Sequence, residues 1–527
     1  MKPQTKFFLD KAIFFLERGS YQSAFIFLIQ AKKIESKNTV VLRNLALCKS
    51  FEKSYGESIQ ILDELIAIEP NNFLAYSNKG NNLYELENYD EALLCHNRAL
   101  EINPKYSEGW TNKGNVLYEL GRYDEAIACH TNAIEIEPKY SEAWANKGNA
   151  LYEIEKYVDA ITCIDRAIKL EPYNYNAWNN KGKIFFEIKR TKEAIECYKN
   201  SLAIKDNGNA HENLAILLLS ERDFIRGWKE YEWRWNSSNF KSEKIKTHKP
   251  MWNGKDEGRL LIWGEQGIGD QILFSVYLKE IEKKCIKAQA LINEKLLPIF
   301  QRSFPKIAFL KSNQIIKEEE YDYQVPMGSL PHLLNPDSNE VLESNYPYLV
   351  KDKEKIKFFK NKISENDKIT CGISWLSSNL KFAKNKSLNI EFLLKKLSTL
   401  PIKFINLQYG VDKTIFNELS KKIKIKIDSS ESIDLFNNLN EVQSLAGACD
   451  IVITSCNTTA HLVGSSGINT YLLAPKSKGK FWYWHNNDNK CVWYPSIKVF
   501  EQVESDNWDE PFDNLKKELE QYLEKKL

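Results

Sequence analysis

A glycine-rich loop is the first segment of the chain whose residue types could do chemistry. It reads GEQGIGDQ, and it places Gly264, Gly267, Gly269 and Asp270 between a β-rich run and a helical run. Glycine permits tight turns and the close approach of a ligand, and a carboxylate in such a loop can accept a proton. The loop has neither the GK[ST] ending of a Walker A loop nor a GxGxxG pattern. The alternative role of Asp270 is structural, because a helix dipole favours a carboxylate in the first turn.

A second loop, ITSCNTTAHLVGSSG at residues 453–467, has the residue types of an anion site. A strand is expected to end just before a helix that opens with Asn457, Thr458 and Thr459. The N–H groups of a helix start, short hydroxyl side chains and the helix dipole together suit a diphosphate. Asn and Thr are also ordinary helix caps, so a well-capped helix is the alternative. His461, one turn further, could donate to a phosphate or simply pack.

The first half of the chain is organised by a 34-residue period. Columns of Gly, Pro, Ala and aromatic residues keep this spacing, for example Gly80, Gly114, Gly148 and Gly182. Small residues are expected where paired helices cross closely, and each Pro follows a helix end, where it blocks continuation. The period is that of tetratricopeptide (TPR) repeats. Six repeats and an atypical seventh predict an α-solenoid, a TPR superhelix, over residues 1–236 that folds as one cooperative unit.

Asparagine recurs in two columns, three residues apart, on the first helix of the repeats. Residues at this spacing share a helix face, and first helices line the inner groove of a TPR superhelix. The columns consist of Asn78, Asn112, Asn146 and Asn180, and of Asn81, Asn115 and Asn149. Such amides could bind the backbone of an extended peptide whatever its sequence, and they resemble the asparagine ladder of the eukaryotic O-GlcNAc transferase. The alternative is that Asn serves the fold in these columns, and a groove that binds some protein is the broader prediction.

The second half alternates short β-rich runs with helical runs, a pattern that predicts parallel sheets with crossover helices. A polar linker at 237–258 precedes a first set of runs at 259–350, and a second set follows at 366–500. Two sets indicate two Rossmann-like halves with a cleft between them. The last segment, 508–527, has the pattern of an amphipathic helix that could pack back across the halves.

Charge balance, apolar runs and cysteine placement limit which partners and which cellular compartment we expect for this protein. The 527 residues include 73 basic and 71 acidic ones, so no charge excess points to nucleic acid. The apolar runs are far shorter than the roughly 20 residues that span a bilayer, and the N-terminus lacks a signal-peptide pattern, so we predict a cytoplasmic protein without an integral membrane segment. Cys95, Cys129, Cys163 and Cys197 share one repeat position, and we interpret them as small buried residues in a reducing compartment.

Three segments of the second half together resemble the catalytic region of bacterial fusions between TPR repeats and a glycosyltransferase. They are GEQGIGDQILFSVYL, ACDIVITSCNTTAHLVGSSGINTYLLAP and VWYPSIKVFEQ, and the solenoid ending GWKEYEWRW is similar to these fusions as well. The fusions are related to glycosyltransferase family 9, the ADP-heptose:lipopolysaccharide heptosyltransferases. The resemblance covers essentially the whole chain, and its motifs are specific in combination.

The resemblance implies a GT-B fold, in which two Rossmann-like domains face one cleft. It places the acceptor on the first half and a nucleotide-sugar on the second. It further implies an inverting transfer that needs no metal or other cofactor, and the sequence has no DxD metal motif. The TPR groove would recruit a protein acceptor, or a partner in surface-glycan assembly.

The resemblance also assigns roles to single residues. Asp270 matches the general base that takes a proton from the acceptor hydroxyl, a task for which its environment must raise its pKa. Asn457, Thr458, Thr459 and His461 match the helix start that binds the donor diphosphate, where stabilisation of the leaving group is electrostatic.

Two further features follow from the same resemblance, and a third is an interpretation of the residues alone. A basic residue is expected after ITCGISW, and of Lys381, Lys384 and Lys386 the last is the best match, with a solvated lysine as the alternative. Gln408 lies where a nucleotide would pass between strand ends. The aromatic run FWYW, residues 481–484, could stack on a base or a sugar, or belong to the core.

The chain departs from the heptosyltransferases at Cys456, where they have an aspartate, so the identity of the donor stays open. Two other function classes compete with a glycosyltransferase. One is a TPR scaffold whose second half is degenerate and non-catalytic, and the other is a nucleotide-binding module that senses rather than transfers. Nucleotide binding separates the scaffold from the other two classes, and turnover that depends on Asp270 separates the enzyme from the sensor.

Overall fold

The chain divides into two compact units, Met1–Asp206 and Asn207–Leu527. The computed structural model describes residues 1–527 except 285, 335–336, 366, 378–385, 412, 424, 426, 429–432, 477–480, 485, 488–489, 506 and 527, and only the backbone at 413–417 and 486–487. Among the described residues, no helix combines the length and the apolar character needed to cross a membrane.

The first unit, all of whose residues are described, consists of twelve helices paired into six hairpins. They are α1 (Pro3–Leu16), α2 (Tyr21–Ile34), α3 (Thr39–Phe51), α4 (Tyr55–Ile68), α5 (Phe73–Glu85), α6 (Tyr89–Ile102), α7 (Ser107–Glu119), α8 (Tyr123–Ile136), α9 (Ser141–Glu153), α10 (Tyr157–Leu170), α11 (Tyr175–Glu187) and α12 (Thr191–Ile204). Each of the six predicted repeats thus contributes one hairpin.

The 34-residue columns have direct structural causes. A Cβ added at Gly114 would lie 2.5 Å from the ring of His130 in the partner helix, so only glycine allows this crossing distance. The indole of Trp110 donates a hydrogen bond of 2.9 Å to the carbonyl of Pro104, and this bond recurs in the next two repeats. In these three repeats, the aromatic and proline columns are therefore linked by one contact that ties the first helix to the loop before it.

The atypical seventh hairpin belongs to the second unit. Its helices are α13 (Gly208–Ser220) and α14 (Phe224–Tyr231), followed by a short 3-10 helix, Glu232–Asn236. Trp228 is fully buried, and its ring contacts Phe274, Trp482 and Trp493 of the α/β region. The hairpin therefore shares the hydrophobic core of the sheets. Because its large rings pack there, the first unit ends at Asp206, one hairpin before the predicted end of the solenoid at residue 236.

A four-stranded parallel sheet follows the segment predicted as a linker. Its strands are β1 (Leu260–Trp263), β2 (Ala288–Ile292), β3 (Ala308–Lys311) and β4 (Tyr323–Pro326), in the order β3-β2-β1-β4. The associated helices are α15 (Ile268–Phe274), α16 (Leu278–Lys283), α17 (Leu297–Ser303), α18 (Leu330–Leu334), α19 (Ser338–Asn345) and α20 (Lys353–Ile363). The segment before β1 is held to the sheet, since Trp252 is buried and its backbone N–H donates to the carbonyl of Gln324 at 2.9 Å.

A second sheet is formed by the remaining strands. They are β5 (Ile369–Ser374), β6 (Ile402–Asn406), β7 (Ile427–Asp428), β8 (Ile451–Ser455), β9 (Thr470–Ala474), β10 (Asn486–Asn487), β11 (Lys490–Cys491) and β12 (Ile497–Glu501). The helices of this region are α21 (Ile390–Leu397), α22 (Lys413–Ile423), α23 (Leu439–Ala448), α24 (Thr458–Ser465) and α25 (Asp509–Lys526). All residues of β5, β8 and β9 are buried, as in a sheet covered by helices on both faces.

The strand orders locate the places where ligands bind in such sheets. The second sheet has the order β10-β11-β12-β9-β8-β5-β6-β7, and its parallel part, from β12 to β7, has the order of a doubly wound fold. The order reverses between β5 and β8, and in the first sheet between β1 and β4. Ligands of open α/β sheets bind beyond the carboxyl ends of the strands at such points. The predicted α/β class with parallel sheets is confirmed.

The last helix, α25, packs on the second sheet, and its buried apolar residues belong to the hydrophobic cluster of that sheet. Phe512, Leu515, Leu519 and Leu523 join the apolar cluster formed by β5, β6, β8 and β9. This differs from the expectation that the helix would cross both halves, because its apolar face is taken up by one sheet.

Candidate functional site

Asp270 lies in the first turn of α15, directly after the loop that follows β1. Its Oδ2 accepts a hydrogen bond of 3.1 Å from the N–H of Gly267 at the helix start. Removal from water raises the pKa of this carboxyl to about 6, although the Gly267 N–H and the charge of Lys386 both act to lower it. A carboxylate with this pKa is ionised at neutral pH and is a better proton acceptor than an ordinary aspartate.

Two of the three loop glycines lie in close contact with other side chains. A Cβ at Gly264 would lie 2.6 Å from the side chain of Gln271, and one at Gly269 would lie 2.9 Å from the ring of His461. Gly267 has an extended backbone, and a Cβ there would approach only the Asp270 carboxylate, at 3.4 Å. The Gly269 contact brings the start of α15 against α24, so the two loops singled out in the sequence meet within the second unit.

Asn457 is the N-cap of α24 and joins two strand ends. Its Oδ1 accepts from the N–H of Ala460 at 3.2 Å, and its Nδ2 donates to the hydroxyl of Ser374, at the end of β5, at 2.9 Å. Both polar atoms of the amide are therefore used to position the loops at the β5–β8 reversal point. The resemblance predicts that Asn457 binds a diphosphate itself, whereas the structure gives its amide a positioning role. Contact with a ligand stays a prediction.

Thr458 and Thr459 form the first turn of α24, where backbone N–H groups have no acceptor within the helix. Thr458 is partly exposed, whereas Thr459 is buried and its hydroxyl accepts from Ser374 at 3.5 Å. Of the two hydroxyls, that of Thr458 is the more accessible to a ligand. The helix start retains the features of an anion site at the carboxyl end of β8.

Gln408 holds the loop that follows β5. Its Oε1 accepts from the N–H groups of Trp375 and Leu376, at 2.8 and 2.7 Å, and its Nε2 donates to the carbonyl of Tyr409 at 2.7 Å. The residue lies at the predicted place, beside the end of β6, but its amide supports the backbone. Its predicted contact with a nucleotide stays a prediction.

His461, a residue of α24, is buried against the aromatic segment that follows β9. Its Nδ1 makes a 2.8 Å hydrogen bond with the hydroxyl of Tyr494, and its ring packs on Tyr483 and Trp484 at centroid distances of 4.9 and 4.7 Å. Burial, with a smaller contribution from the charge of Lys386, lowers its pKa to about 3, so the ring is neutral at pH 7. Of the two roles considered for His461, packing is the one that these contacts describe.

Lys386 is buried, with 3% of its surface exposed, so the solvated-lysine alternative is wrong. Its ammonium lies 4.0 Å from the ring centroid of Phe481 and acts electrostatically on Asp270. Burial lowers the pKa of this lysine, while the acidic groups of Cys456 and Asp270 act to raise it. The other two lysine candidates, Lys381 and Lys384, lie outside the described residues.

Sequence reasoning missed a buried ion pair that involves the glycine-rich loop after β1. Arg234, at the end of the GWKEYEWRW motif, donates from Nε and Nη2 to the two carboxylate oxygens of Glu265, at 2.9 and 3.0 Å. Its Nη2 also donates to the hydroxyl of Ser329, after β4, at 2.9 Å. Both charged side chains are buried. The signal in the sequence was the Glu of GEQG, whose partner lies 31 residues earlier in a motif assigned to the solenoid.

The aromatic run at 481–484 is mostly core. Trp482, Tyr483 and Trp484 are buried, and Trp482 packs edge-on against Trp228 and Trp493. Only Phe481 of the run is partly exposed, and it covers the ammonium of Lys386. The core alternative therefore applies to three of the four rings.

The asparagine columns of the first unit are half-buried rather than fully exposed. The amide Nδ2 of Asn146 donates to Oδ1 of Asn115, in the preceding repeat, at 2.9 Å. Asn78 and Asn81 line a cavity of about 310 Å³ between helices of adjacent repeats. Asparagines of adjacent repeats thus lie near one another, and two of them are hydrogen-bonded to each other.

Comparisons with known proteins identify the repeats. Family models described as TPR repeat match residues 80–121 and 114–154, and models described as tetratricopeptide repeat match 141–174 and 175–207. The protein FlbA of Caulobacter vibrioides is 26% identical over 318 residues, covering 56% of this chain and 52% of FlbA. The chain therefore spans about half the length of this curated relative.

Solved structures of TPR proteins are similar as well. A tetratricopeptide repeat protein from Parabacteroides merdae is 16% identical over 45% of this chain and 95% of its own, with a TM-score of 0.40. YrrB, described as a TPR protein with an unusual peptide-binding site, is 20% identical over 35% of this chain and 95% of its own, with a TM-score of 0.29. Together with the helix hairpins, the family matches establish that the N-terminal half of the chain is an array of TPR repeats, a protein-interaction scaffold.

Proposed function

We propose that the second unit is an inverting glycosyltransferase of GT-B architecture, and that the TPR array recruits its protein partner. One observation carries the proposal. Asp270, whose pKa is raised to about 6, lies at a contact between α15 and α24, and α24 starts at the carboxyl end of β8 beside the strand-order reversal of the second sheet. A carboxylate with a raised pKa and a helix start that suits an anion are thus adjacent within one unit, which supports the proposal.

The proposed reaction assigns a role to each of these groups. Asp270 takes the proton of an acceptor hydroxyl while that oxygen forms a bond to the anomeric carbon of a nucleotide-sugar. The bond from that carbon to the diphosphate oxygen breaks on the opposite side, and its electron pair leaves with the nucleoside diphosphate. Attack and departure on opposite faces invert the configuration of the anomeric carbon.

The leaving diphosphate would be stabilised without a metal ion. The first N–H groups of α24, at Thr458 and Thr459, and the positive end of the helix dipole suit its negative charge. Lys386 supplies a positive charge that acts to lower the pKa of Asp270. Asn457 and Gln408 act as positioning residues that hold the loops after β5 and β8.

The direct test is the release of nucleoside diphosphate or monophosphate from UDP-, ADP-, GDP- and CMP-sugars by the purified protein. We expect one donor class to stabilise the protein in thermal-shift measurements. Asp270→Asn should lower the turnover of that donor by about 10²- to 10⁴-fold while the thermal shift persists. Asp256→Asn, which changes an exposed carboxylate before β1, serves as the matched control. Full turnover by D270N would contradict the proposal.

A non-catalytic scaffold is the second candidate. The observation in its favour is that the amides of Asn457 and Gln408, both predicted to face the donor, are engaged in hydrogen bonds within the protein. In that case, none of the four sugar-nucleotide classes should shift the melting temperature.

A further inference from the structure

The side chains at two groove-lining repeat positions change from apolar to polar along the first unit. Asn81 and Asn115 share a repeat position that is occupied by Leu47 in the second repeat, and Glu85 shares one that is occupied by Phe51. Leu47 is 39% exposed and Phe51 is 55% exposed. Apolar side chains thus remain in contact with water at the two positions where the following repeats carry amides and carboxylates.

These side chains line the cavity of about 310 Å³ between α3, α4 and α5. Leu47, Phe51 and Leu62 form its apolar part, and Asn78, Asn81 and Glu85 form its polar part. The volume is at the lower end of the roughly 300–1,000 Å³ of ligand pockets, and it exceeds what one apolar side chain needs. The cavity is therefore amphipathic, with a carboxylate at its polar side.

The floor of the cavity is held by a buried polar network. Asn82 donates from Nδ2 to the hydroxyl of Ser58 at 2.8 Å, and its Oδ1 accepts from Ser50 at 2.7 Å. Ser58 in turn donates to the carbonyl of Ala46 at 2.8 Å. Because these groups satisfy one another, the cavity is preformed and binding need not order its floor.

The polar side carries negative charge. Glu85 accepts a hydrogen bond from the hydroxyl of Tyr55 at 3.3 Å, and Glu119, one repeat later, accepts one from Tyr84 at 3.5 Å. Burial and then the charge of Glu119 raise the pKa of Tyr84 to about 12, as expected beside a row of carboxylates. A cation next to an apolar group complements this surface.

We propose that the cavity binds an extended segment of a partner protein in which a large apolar residue adjoins Lys or Arg. The apolar side chain packs on Leu47 and Phe51, and the cation pairs with Glu85. The proposal concerns the partner-binding part of the proposed function, and it depends on the TPR array and not on sugar transfer.

Fluorescence anisotropy of the full chain with three labelled peptides tests this specificity. The peptides share a Gly-Ser background and carry Phe beside Lys, Phe beside Glu, or Ala beside Lys. We expect the Phe–Lys peptide to bind about tenfold more tightly than either of the others. Equal affinity for the three peptides, or no binding of the Phe–Lys peptide, would overturn the proposal.

Two variants assign the specificity to the cavity. Leu47→Asn introduces the residue that the next repeats carry, so it should fold normally and should remove the preference for Phe over Ala. Glu85→Gln should remove the preference for Lys over Glu. Leu94→Asn changes another exposed leucine of a helix, at 67% exposure, and should leave all three affinities unchanged. Unaltered preferences in L47N and E85Q would show that the peptides bind outside this cavity. Neither outcome bears on whether the second unit turns over sugar nucleotides.

Discussion

At the scale of single residues, the environment of Asp270 sets the pH range in which the proposed base can work. Its pKa of about 6 means that the carboxyl is protonated, and unable to accept a proton, at lower pH. Turnover should therefore rise as the pH increases through about 6 and level off above it. The measurement is kcat/KM against pH for the donor found by thermal shift. A profile that is flat between pH 5 and 8 would exclude Asp270 as the base.

Lys386 provides a second residue-scale prediction. Its positive charge lowers the pKa of Asp270, so Lys386→Met should move the midpoint of the pH profile to higher pH as well as reduce kcat. A residue that only supported the fold would change the rate without moving the midpoint. Lys287→Met, at an exposed position before β2, is the control and should keep the wild-type profile.

The sequence predicted the residue types of the candidate site better than the contacts that these residues make. The glycine loop, Asp270 and the helix start at Asn457 were all found from local patterns of turn and cap residues. The bond from Asn457 to Ser374 spans 83 residues of sequence, and nothing local to either residue encodes it. Which amides face a ligand and which support a loop therefore became visible only with the strand order.

At the scale of elements, the Arg234–Glu265 pair fastens the end of the seventh hairpin to the loop of Asp270. Removal of one partner leaves a buried charge without compensation, so Arg234→Met should lower the free energy of unfolding by about 3–5 kcal/mol. The double variant R234M/E265M should regain most of that loss, because the buried carboxylate is then absent and Glu232, a second carboxylate that pairs with Arg234 at 3.0 Å, is partly exposed. Urea unfolding followed by tryptophan fluorescence provides the values.

A matched ion pair shows whether burial is the cause. Arg259 and Asp322 form a similar contact, 2.9 Å, on the surface of the same unit. Arg259→Met should lower the free energy of unfolding far less than Arg234→Met does, because exposed ion pairs contribute little. Equal losses for R234M and R259M would refute the argument from burial.

The repeat hairpins contain two buried histidines that make the first unit sensitive to acid. The rings of His96 and His130 are 1% exposed, and none of their nitrogens has a hydrogen-bond partner among the described residues. Burial lowers both pKa values from 6.5 to about 4, with a smaller effect of Lys147 on His130. The unfolded chain therefore binds protons more readily, and stability is lost as the pH falls from about 6.5 towards 4.

The loss at pH 5 should be about 2 kcal/mol for each histidine. Ile164 occupies the same repeat position in the next hairpin, so H96I/H130I is a replacement that the array already accepts. We expect the double variant to reduce the difference in melting temperature between pH 7 and pH 5. An unchanged difference would assign the acid sensitivity to other groups.

At the scale of the whole molecule, periodicity predicted the fold where contacts are local and failed where they are not. The 34-residue columns located the six hairpins of the first unit, since each Gly and Trp makes its contact within one repeat or with the loop before it. The seventh hairpin has the same local pattern, but Trp228 and Arg234 have their partners up to 265 residues further along the chain. Sequence spacing could not assign the hairpin to the α/β unit.

The place of this hairpin leads to a prediction about where the chain can be divided. Residues 207–527 contain both partners of the Arg234–Glu265 pair and the complete aromatic cluster around Trp228, so they should unfold cooperatively on heating. A chain that starts at 237, after the predicted end of the solenoid, lacks Trp228 and Arg234. It exposes the rings that Trp228 covers and leaves Glu265 buried without its cation, two defects that each cost several kcal/mol.

Calorimetry and gel filtration of the two fragments test this boundary. We expect a sharp unfolding transition and a monodisperse peak for 207–527, and neither for 237–527. If both fragments melted alike, the hairpin would belong to the repeats rather than to the second unit.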